Sequence, residues 1–243
     1  MPRSPSGRAG PSRSDSDVCV IIPAAGSGTR LGEPIPKAFV DLHGRTIVER
    51  CVDQVRDLGA TIVVVVPADL VGRAQTLLSD AVTVVAGGAH RSESVRAGLA
   101  AAGDAEIILV HDAARPLTPA TVFHRVIGAI RSGRRAVIPG LPVADTLKEI
   151  HQRDSGTDEP VLVRRTVARD RLRAVQTPQG FTREAFVAAH ADHEGLATDD
   201  AGLAERVGIP VYVVDGHPMA MKITTPWDLR LIRHMLESGE VTT

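Results

Sequence analysis

Residues 18–37 read VCVIIPAAGSGTRLGEPIPK, an apolar run from Val18 to Ile22 followed by a loop of small residues with two cations. Such a run predicts a buried strand, and a glycine-rich loop after it is typical of ligand-binding turns in α/β proteins. Similar runs recur along the chain, each followed by a segment with helical spacing. They are Thr61 to Val66, Val82 to Val85, Glu106 to Val110 and Arg135 to Ile138. This alternation predicts an α/β fold with a parallel sheet.

The segment after the first loop has the pattern of a helix packed on a sheet. Its apolar residues, Ile47, Val48, Cys51, Val52 and Val55, fall on one face. Its charged residues, Arg45, Glu49, Asp53 and Arg56, fall on the other. Gly59 follows and ends the predicted helix.

The regular alternation stops after Pro142. Asp145 to Ile150 and Val161 to Arg165 are predicted as short strands joined by the polar loop HQRDSGTDEP, which indicates a protruding hairpin. Further elements are predicted around Arg183 to His193 (helix), Asp199 to Val207 (helix), Pro210 to Val214 (strand) and from near Pro226 (amphipathic helix).

Composition limits the class of protein. The 243 residues, 43% of them hydrophobic, suffice for one core, and we expect a single domain over residues 18–240 after a disordered tail at 1–17. A net charge of −1 and only 2% aromatic residues argue against nucleic acid as a partner. The longest β-branched run, Ile62 to Val66, is far short of the roughly 20 residues of a membrane span. Cys19 and Cys51 occupy apolar positions, which favours a reducing cytoplasm.

The loop from Pro23 to Lys37 carries the first chemical signal. Gly26 and Gly28 are followed by Gly32, one residue late for a dinucleotide fingerprint, and the Gly-Lys-Ser/Thr ending of a P-loop is absent. Arg30 and Lys37 on such a loop suit a triphosphate whose leaving group develops negative charge. The alternative is an ordinary βα turn with two solvated charges.

Two further strand ends carry polar residues. In LVHDAARP, residues 109–116, Asp112 could hold a magnesium ion that bridges phosphates; alternatively it caps a turn and pairs with Arg115. Gly87 and Gly88, followed by RSESV at 91–95, could read a base or ribose, or simply begin a helix. The remaining polar clusters are QTPQGF (176–181), TDDAG (198–202) and MKIT (221–224).

Other chemistries find little support in the sequence. His190 and His193 have a spacing that suits zinc, but the acids beside them favour a solvated helix face. No Gly-x-Ser-x-Gly elbow occurs, and neither cysteine lies in a cationic or helix-start setting, so covalent catalysis is not expected.

Taken in order, PAAGSGTRLG, PK, GG..RSESV, VHDAARP, ADTLK, QTPQGF, TDDAG and MKIT resemble the 2-C-methyl-D-erythritol 4-phosphate cytidylyltransferase family. The resemblance runs from about Val18 to the final helix. It implies a Rossmann-like nucleotidyltransferase three-layer sandwich with a mostly parallel sheet and a β-arm at about 143–175, which joins a homodimer. It also implies transfer of CMP from CTP to a sugar-alcohol phosphate, with Mg²⁺ as the metal.

The resemblance implies roles for individual residues. Four positions match catalytic residues: Arg30 and Lys37 match cations that stabilise the transition state at the α-phosphorus, and Arg169 and Lys222 match catalytic residues that also bind the acceptor. The positions that match CTP contacts are Ala24, Ala25, Gly26, Gly28, Gly87, Gly88, Ser94 and Ala113. The positions that match acceptor contacts are Asp112, Arg115, Thr146, Thr177 and Thr198, with Asp112 also the metal ligand.

The sequence differs from the family pattern in the arm, and its length limits which reactions are expected. The insert from His151 to Pro160 is long and polar for the family, and the return strand carries further arginines, at 164, 165, 171 and 173, beside Arg169. The length leaves no room for the cyclase domain that some relatives carry, so only the cytidylyl step is expected.

Rival functions remain open on the sequence. A ribitol 5-phosphate cytidylyltransferase shares most of the motifs, although HDAARP and ADTLK favour the erythritol enzyme. A nicotinamide-dependent oxidoreductase would need the third glycine in register and an acid for the ribose. A silent sugar-nucleotide binding module would be expected to lack Arg30 or Lys37.

Overall fold

The computed structural model describes residues 17–26, 31, 33, 35–152, 158–191 and 199–239. These residues form an eight-stranded, mostly parallel sheet and a separate two-stranded sheet. The strands are β1 (Val18–Pro23), β2 (Thr61–Val66), β3 (Val82–Ala86), β4 (Ile107–Val110), β5 (Ala136–Pro142), β6 (Leu147–Ile150), β7 (Val163–Val167), β8 (Arg173–Val175), β9 (Gln179–Thr182) and β10 (Val211–Asp215). The helices are α1 (Ile47–Arg56), α2 (Val71–Leu77), α3 (Arg91–Ala100), α4 (Ala120–Arg131), α5 (Arg183–Ala191), α6 (Asp200–Arg206) and α7 (Pro226–Glu237).

The order of the strands places a topological switch in the middle of the large sheet. Seven strands neighbour one another in the order β10-β5-β9-β4-β1-β2-β3, and β8 pairs with the end of β5. The chain starts at β1, builds outward to β3 and then crosses to β4, which pairs with the other side of β1. Open α/β sheets bind ligands at the carboxyl ends of the two strands that flank such a switch. The topology therefore predicts a site between the ends of β1 and β4.

Helices cover both faces of the sheet, as the sequence predicts. Val18, Val20 and Ile22 of β1 pack with α1, α2 and α4, whereas Cys19 and Ile21 pack with α3, α5 and α6. This alternation follows the two-residue period of a strand whose two faces are both buried, and it accounts for the continuous apolar run. The result is a three-layer sandwich.

Two strands of the large sheet, β8 and β9, have no counterpart in the sequence prediction. The segment 179–182, QGFT, forms β9, which lies antiparallel between β4 and β5. A β-carbon on Gly180 would meet Leu109 Cδ2 at 2.8 Å and would also collide with Val126 of α4, so the strand fits only with glycine at this position. The short β8 is likewise antiparallel to β5. The mostly parallel sheet that the resemblance implies is confirmed, with β8 and β9 as its antiparallel strands.

The predicted hairpin is present. β6 and β7 pair antiparallel, with a register shift between Glu149 and Ile150, and form a sheet of their own. We call residues 143–175 the arm; its residues 153–157 lie outside the described part of the chain. Also outside it are residues 1–16 of the predicted tail, Gly28, Arg30, His193 and Thr198.

A third apolar cluster fixes the loops that follow the sheet. Leu229, Ile232 and Leu236 of α7 pack with Val40, Leu42 and Ile223. This packing brings the segment around Lys222 against the loop that carries Lys37. Within the described ranges, no helix has the length and hydropathy that a membrane span requires.

Candidate functional site

A cleft of about 360 Å³ lies where the topology predicts a site. Loops after β1, β3 and β4 form its walls, together with Lys222 from the segment before α7. Its lining includes Ala24, Ala25, Gly26, Lys37, Gly88, Arg91, Ser94, Asp112, Ala113 and Lys222. Four charged side chains and small-residue backbone thus line one cavity.

The small residues let backbone groups form the floor of the cleft. The amide of Ala24 donates to the Val65 carbonyl at 2.7 Å, which fixes the start of the loop after β1. A β-carbon on Gly87 would lie 2.6 Å from Ser94 Oγ, so glycine permits α3 to begin this close to β3. Ser94 is buried and donates to the His90 carbonyl at 3.3 Å. Gly87 itself lies behind the wall, whereas Gly88 and Ser94 line it.

Asp112 is surrounded by cations. Its carboxylate lies 2.9 Å from Lys222 Nζ, 3.6 Å from Arg115 Nε and 3.9 Å from an Arg91 nitrogen. Burial raises the pKa of the Asp112 carboxyl, but these three cations, led by Lys222, outweigh it and hold the pKa below its ordinary value. Asp112 is therefore an ionised acceptor at neutral pH. It pairs with Arg115, as the alternative interpretation expects, and also with Lys222 and Arg91 from other parts of the fold.

A buried histidine fixes the backbone of Asp112 from behind. The Asp112 amide donates to Thr177 Oγ1 at 3.0 Å, and Thr177 Oγ1 lies 3.0 Å from His111 Nδ1. The other ring nitrogen, Nε2, lies 3.2 Å from the Arg115 carbonyl oxygen, an obligatory acceptor. The network therefore assigns the proton to Nε2 and makes Nδ1 the acceptor of the Thr177 hydroxyl. Burial lowers the pKa of His111 to about 4, so the ring is neutral at pH 7.

The segment around Lys222 is tied to both neighbouring loops. Arg115 NH1 donates to the Ala220 carbonyl at 2.6 Å, and the Ile223 amide donates to the Ala114 carbonyl at 2.8 Å. Lys37 Nζ donates to the Ile223 carbonyl. The two ammonium groups, Lys37 and Lys222, are thereby brought to the same wall of the cleft.

The donor set of the cleft fits magnesium bound through phosphates. Asp112 is the one carboxylate among the lining residues described, and no cluster of three or more potential metal ligands occurs in the described ranges. Mg²⁺ is commonly held by one or two carboxylates with substrate phosphates and water completing its shell. Asp112 suits that arrangement, with the phosphates supplied by a ligand.

The structure brings together part of the predicted set. Ala24, Ala25, Gly26, Lys37, Gly88, Ser94, Asp112, Ala113 and Lys222 line the cleft. Gly87, Arg115 and Thr177 lie behind its walls. Thr146 and Arg169 are exposed on the arm and do not line the cleft of the single chain, where Arg169 donates to the Ala144 carbonyl. Arg30, Gly28 and Thr198 fall outside the described residues.

Two charged residues at the site were missed by the sequence analysis. Arg91, the first residue of α3, lines the cleft and donates to Asp200 at 2.7 Å. The two residues are 109 positions apart, so no local pattern pairs them. The available signal was an arginine three residues after a glycine pair, at the point where a helix begins after a strand.

The expectation of a solvated helix face was wrong for His190. This residue is buried on the apolar side of α5 with Ala185, Phe186 and Ala189. Its ring lies 4.3 Å from that of Phe186, and its Nε2 is 3.2 Å from Asp200 Oδ1. The acids that follow it in sequence obscured this position on the buried face.

Comparisons with known proteins agree with these features. A sequence model of the family described as IspD, 2-C-methyl-D-erythritol 4-phosphate cytidylyltransferase, matches residues 18–238. The protein of that name from Rhodococcus opacus (strain B4) is 54% identical over 224 residues, which are 91% of this chain and 96% of the relative. The crystal structure of the Thermus thermophilus protein of that name aligns with a TM-score of 0.71 at 35% identity, over 90% of this chain and 98% of that one. The structure of 4-diphosphocytidyl-2C-methyl-D-erythritolsynthase from Anaerococcus prevotii DSM 20548 aligns with a TM-score of 0.78 at 29% identity, over 91% and 96%.

Proposed function

This chain belongs to the 2-C-methyl-D-erythritol 4-phosphate cytidylyltransferase family, and from that premise we propose that the cleft between β1 and β4 is its catalytic site. The enzyme transfers CMP from CTP to 2-C-methyl-D-erythritol 4-phosphate in isoprenoid precursor biosynthesis. The observation that carries the assignment of the site is the convergence of Lys37, Lys222, Arg91 and Asp112 on one cavity at the switch point of the sheet.

The reaction requires the protein to position the two substrates and to supply positive charge. A phosphate oxygen of the acceptor attacks the α-phosphorus of CTP, the bond to the β-phosphate oxygen breaks, and pyrophosphate leaves. The attacking phosphate is already an anion at neutral pH, so a protein nucleophile is not needed. Negative charge accumulates on the oxygens around the α-phosphorus and on the leaving group, where fixed cations stabilise it.

The lysines of the cleft are proposed to meet these charges. Lys37, at the end of the glycine-rich loop, binds the phosphates of CTP, and Arg30 joins it from the same loop. Lys222 pairs with Asp112, and its side chain is 45% exposed. It is proposed to position the phosphate of the acceptor. Because the Ile223 carbonyl anchors Lys37, the two ammonium groups are held in one arrangement before substrate arrives.

Asp112 is proposed to hold Mg²⁺ together with the phosphates of CTP and to orient Lys222. When bound, the metal neutralises phosphate charge and withdraws electron density from the α-phosphorus. Thr177 and Arg115 support Asp112 and the segment 220–223 from behind the wall. We propose that they act on the acceptor through these neighbours.

Backbone groups are proposed to bind the nucleotide. Ala24, Ala25, Gly26 and Ala113 line one side of the cleft, and Gly88 and Ser94 line the other. Their small side chains let amide and carbonyl groups reach the base and ribose of CTP. Gly28 belongs to the same loop, and Gly87 allows the opposite wall to approach.

The arm is proposed to complete the site of a second subunit in a homodimer. In the single chain Leu162 is 72% exposed and Ile150 53% exposed, and a two-stranded hairpin is marginal in water. A two-fold partner would cover these apolar side chains and receive Arg169 and Thr146 at its own cleft. Thr198 is proposed as a further acceptor contact within the chain.

Three broader expectations stay predictions. They are the disordered tail at 1–17 before one domain at 18–240, the absence of nucleic acid and membrane partners, and the cytoplasmic location. The location is supported by two free, buried thiols; burial raises the pKa of Cys19 to about 12, which makes it unreactive.

The test is pyrophosphate release from CTP with 2-C-methyl-D-erythritol 4-phosphate or ribitol 5-phosphate as acceptor, measured across a magnesium titration. The wild-type enzyme should respond to the erythritol acceptor, and Asp112→Asn should lose metal-dependent turnover while it remains folded. Asp104→Asn is the matched control, since Asp104 is exposed before β4, at the opposite end of the strand from Asp112. Full activity of Asp112→Asn at every magnesium concentration would refute the role of this carboxylate.

A further inference from the structure

A buried carboxylate lies directly behind the wall of the cleft. Asp200 is only 1% exposed and is the first residue of α6. The helix is capped by its neighbour Asp199, whose Oδ1 accepts from the Gly202 amide at 2.9 Å. The Asp200 side chain is therefore not needed as a helix cap.

The two oxygens of Asp200 face two cationic or titratable groups. Arg91 donates to Oδ2 at 2.7 Å, and His190 Nε2 lies 3.2 Å from Oδ1. Burial raises the pKa of Asp200, but His190 and Arg91 outweigh it and hold the pKa below its ordinary value. The interior thus retains a negative charge, which is costly to bury unless it is paired.

Arg91 links this charge to the cleft. The same nitrogen that lies 2.7 Å from Asp200 lies 3.9 Å from Asp112, so its closer partner is the buried acid. The Arg91 side chain is 40% exposed and lines the cleft, and a guanidinium carries five N–H groups in a rigid plane. One edge can bind Asp200 while the other remains available to a ligand.

The position of the Arg91 guanidinium depends on a competition between Asp200 and Asp112. Without Asp200, the guanidinium would be drawn onto Asp112, which already binds Lys222 at 2.9 Å. That closer pair would remove a cation from the wall and cover the carboxylate proposed for the metal. Asp200 therefore keeps Arg91 at the wall and limits its approach to Asp112.

We propose that Asp200 and His190 are positioning residues that hold Arg91 at the cleft wall as a fixed cation for CTP. This inference rests on the proposed function of the cleft. The nucleotide, rather than the acceptor, is the expected ligand because Arg91 shares its wall with Gly88 and Ser94.

The test is a double-mutant cycle on Arg91 and Asp200, read as KM for CTP and for the acceptor. Asp200→Asn should raise KM for CTP about tenfold, since it loosens one charge-assisted contact, and should leave KM for the acceptor within about twofold. Arg91→Gln should raise KM for CTP by at least as much. In the Arg91→Gln background, Asp200→Asn should add almost nothing, because its effect passes through Arg91. Additive effects would overturn the proposal, and so would an unchanged KM for CTP in the folded Asp200→Asn protein.

Two controls separate positioning from loss of fold. Glu205→Gln removes one charge from an exposed position of the same helix and should leave both KM values unchanged. His190→Gln keeps an N–H donor and should stay within about twofold of wild type, whereas His190→Leu removes the donor and should raise KM for CTP severalfold. This pair decides the question if Asp200→Asn does not fold: equal KM values for CTP in the two histidine variants would reject the proposal. If the wild-type protein itself released no pyrophosphate from CTP with the acceptor, the proposed function would be rejected instead.

Discussion

The cleft and the arm are built from similar charged residues but are held in opposite ways. In the cleft, Asp112 contacts Arg91 of α3, Lys222 before α7 and Thr177 before β9, which are far apart in sequence. In the arm, Glu149 pairs with Arg164 at 2.7 Å and with Arg165 at 2.5 Å, both on the adjacent strand and both exposed. The cleft is fixed by the whole fold, whereas these arm contacts join β6 only to β7.

This difference indicates whether each region needs a second protein chain to stabilise it. Exposed ion pairs contribute about 0 to 1 kcal/mol each, too little to hold a two-stranded hairpin with exposed apolar residues. Asp112 in the cleft already has its partners within the chain. The arm lacks a covering surface, which supports a second subunit as its partner.

The largest expected effect concerns the cleft itself. Lys37→Ala should lower kcat by about two to three orders of magnitude, the range for deleting one preorganised charge donor at a developing anion. The unfolding temperature should change little, because Lys37 is half-buried on a short helical turn rather than in the core. Lys148→Ala is the arm control: this exposed lysine donates to Thr166 at 2.6 Å, and its loss should change kcat less than twofold. Equal losses in both variants would remove the distinction between the regions, and wild-type turnover in Lys37→Ala would reject the role of this lysine.

The pH dependence of the free energy of unfolding should report the titration of His111, the buried histidine behind the cleft. The pKa of His111 falls from 6.5 to about 4 on folding, so between these values the unfolded chain binds the extra proton. Stability should therefore fall as pH decreases through this window, by about 2 kcal/mol between pH 7 and pH 5. Urea unfolding of wild type and of His111→Gln at both pH values measures it. The variant should lose most of this pH dependence, and an identical slope in both proteins would show that His111 does not cause it.

Subunit mixing should show whether the arm serves its own cleft or that of a partner. Lys37→Ala and Arg169→Ala proteins, each nearly inactive, should regain activity when their subunits exchange. Random pairing puts about half of the chains into heterodimers with one intact site of two, so recovery should approach about one quarter of wild-type activity. Absence of recovery after demonstrated exchange would assign Arg169 to its own subunit, or the role to another arginine of the arm.

The smallest effect should come from the apolar surface of the arm. Leu162→Asp places a charge on the most exposed of its large apolar residues and should weaken dimerisation at least tenfold. Sedimentation velocity over a range of concentrations measures this change. The unfolding temperature of the monomer should remain the same, because Leu162 buries little surface within its own chain. Unchanged dimerisation would indicate that the arm is not the interface.

The strands of the parallel sheet were predictable because burial on both faces demands continuous β-branched runs, as in Thr61–Val66. β9 was not, because four residues with Gln179 and Gly180 carry neither an apolar run nor alternation. Its place comes from the edges of β4 and β5 on either side, which no local window contains.

The same distinction holds for the site. Asp112, Lys37 and Lys222 stand in recognisable motifs at strand ends, and two of the three lysines of the chain line the cleft. The pairing of Arg91 with Asp200 has no such signature, since it depends on how α3 and α6 pack on one face of the sheet. The sequence thus indicates which motif residues to consider, but it does not show that Arg91 of RSESV and Asp200 of TDDAG contact each other.

The position of β9 also sets an order in which the chain can complete its sheet. β1 to β4 lie within the first 110 residues and can pair among themselves as soon as they are synthesised. The outer edge of β4 must then stay open while α4, β5 and the whole arm emerge, because its partner begins only at Gln179. An open, apolar strand edge is prone to pairing with other chains. The nascent chain is therefore most prone to aggregation while the ribosome adds residues 111–182. Slower synthesis of this segment should increase the fraction of nascent chains that aggregate.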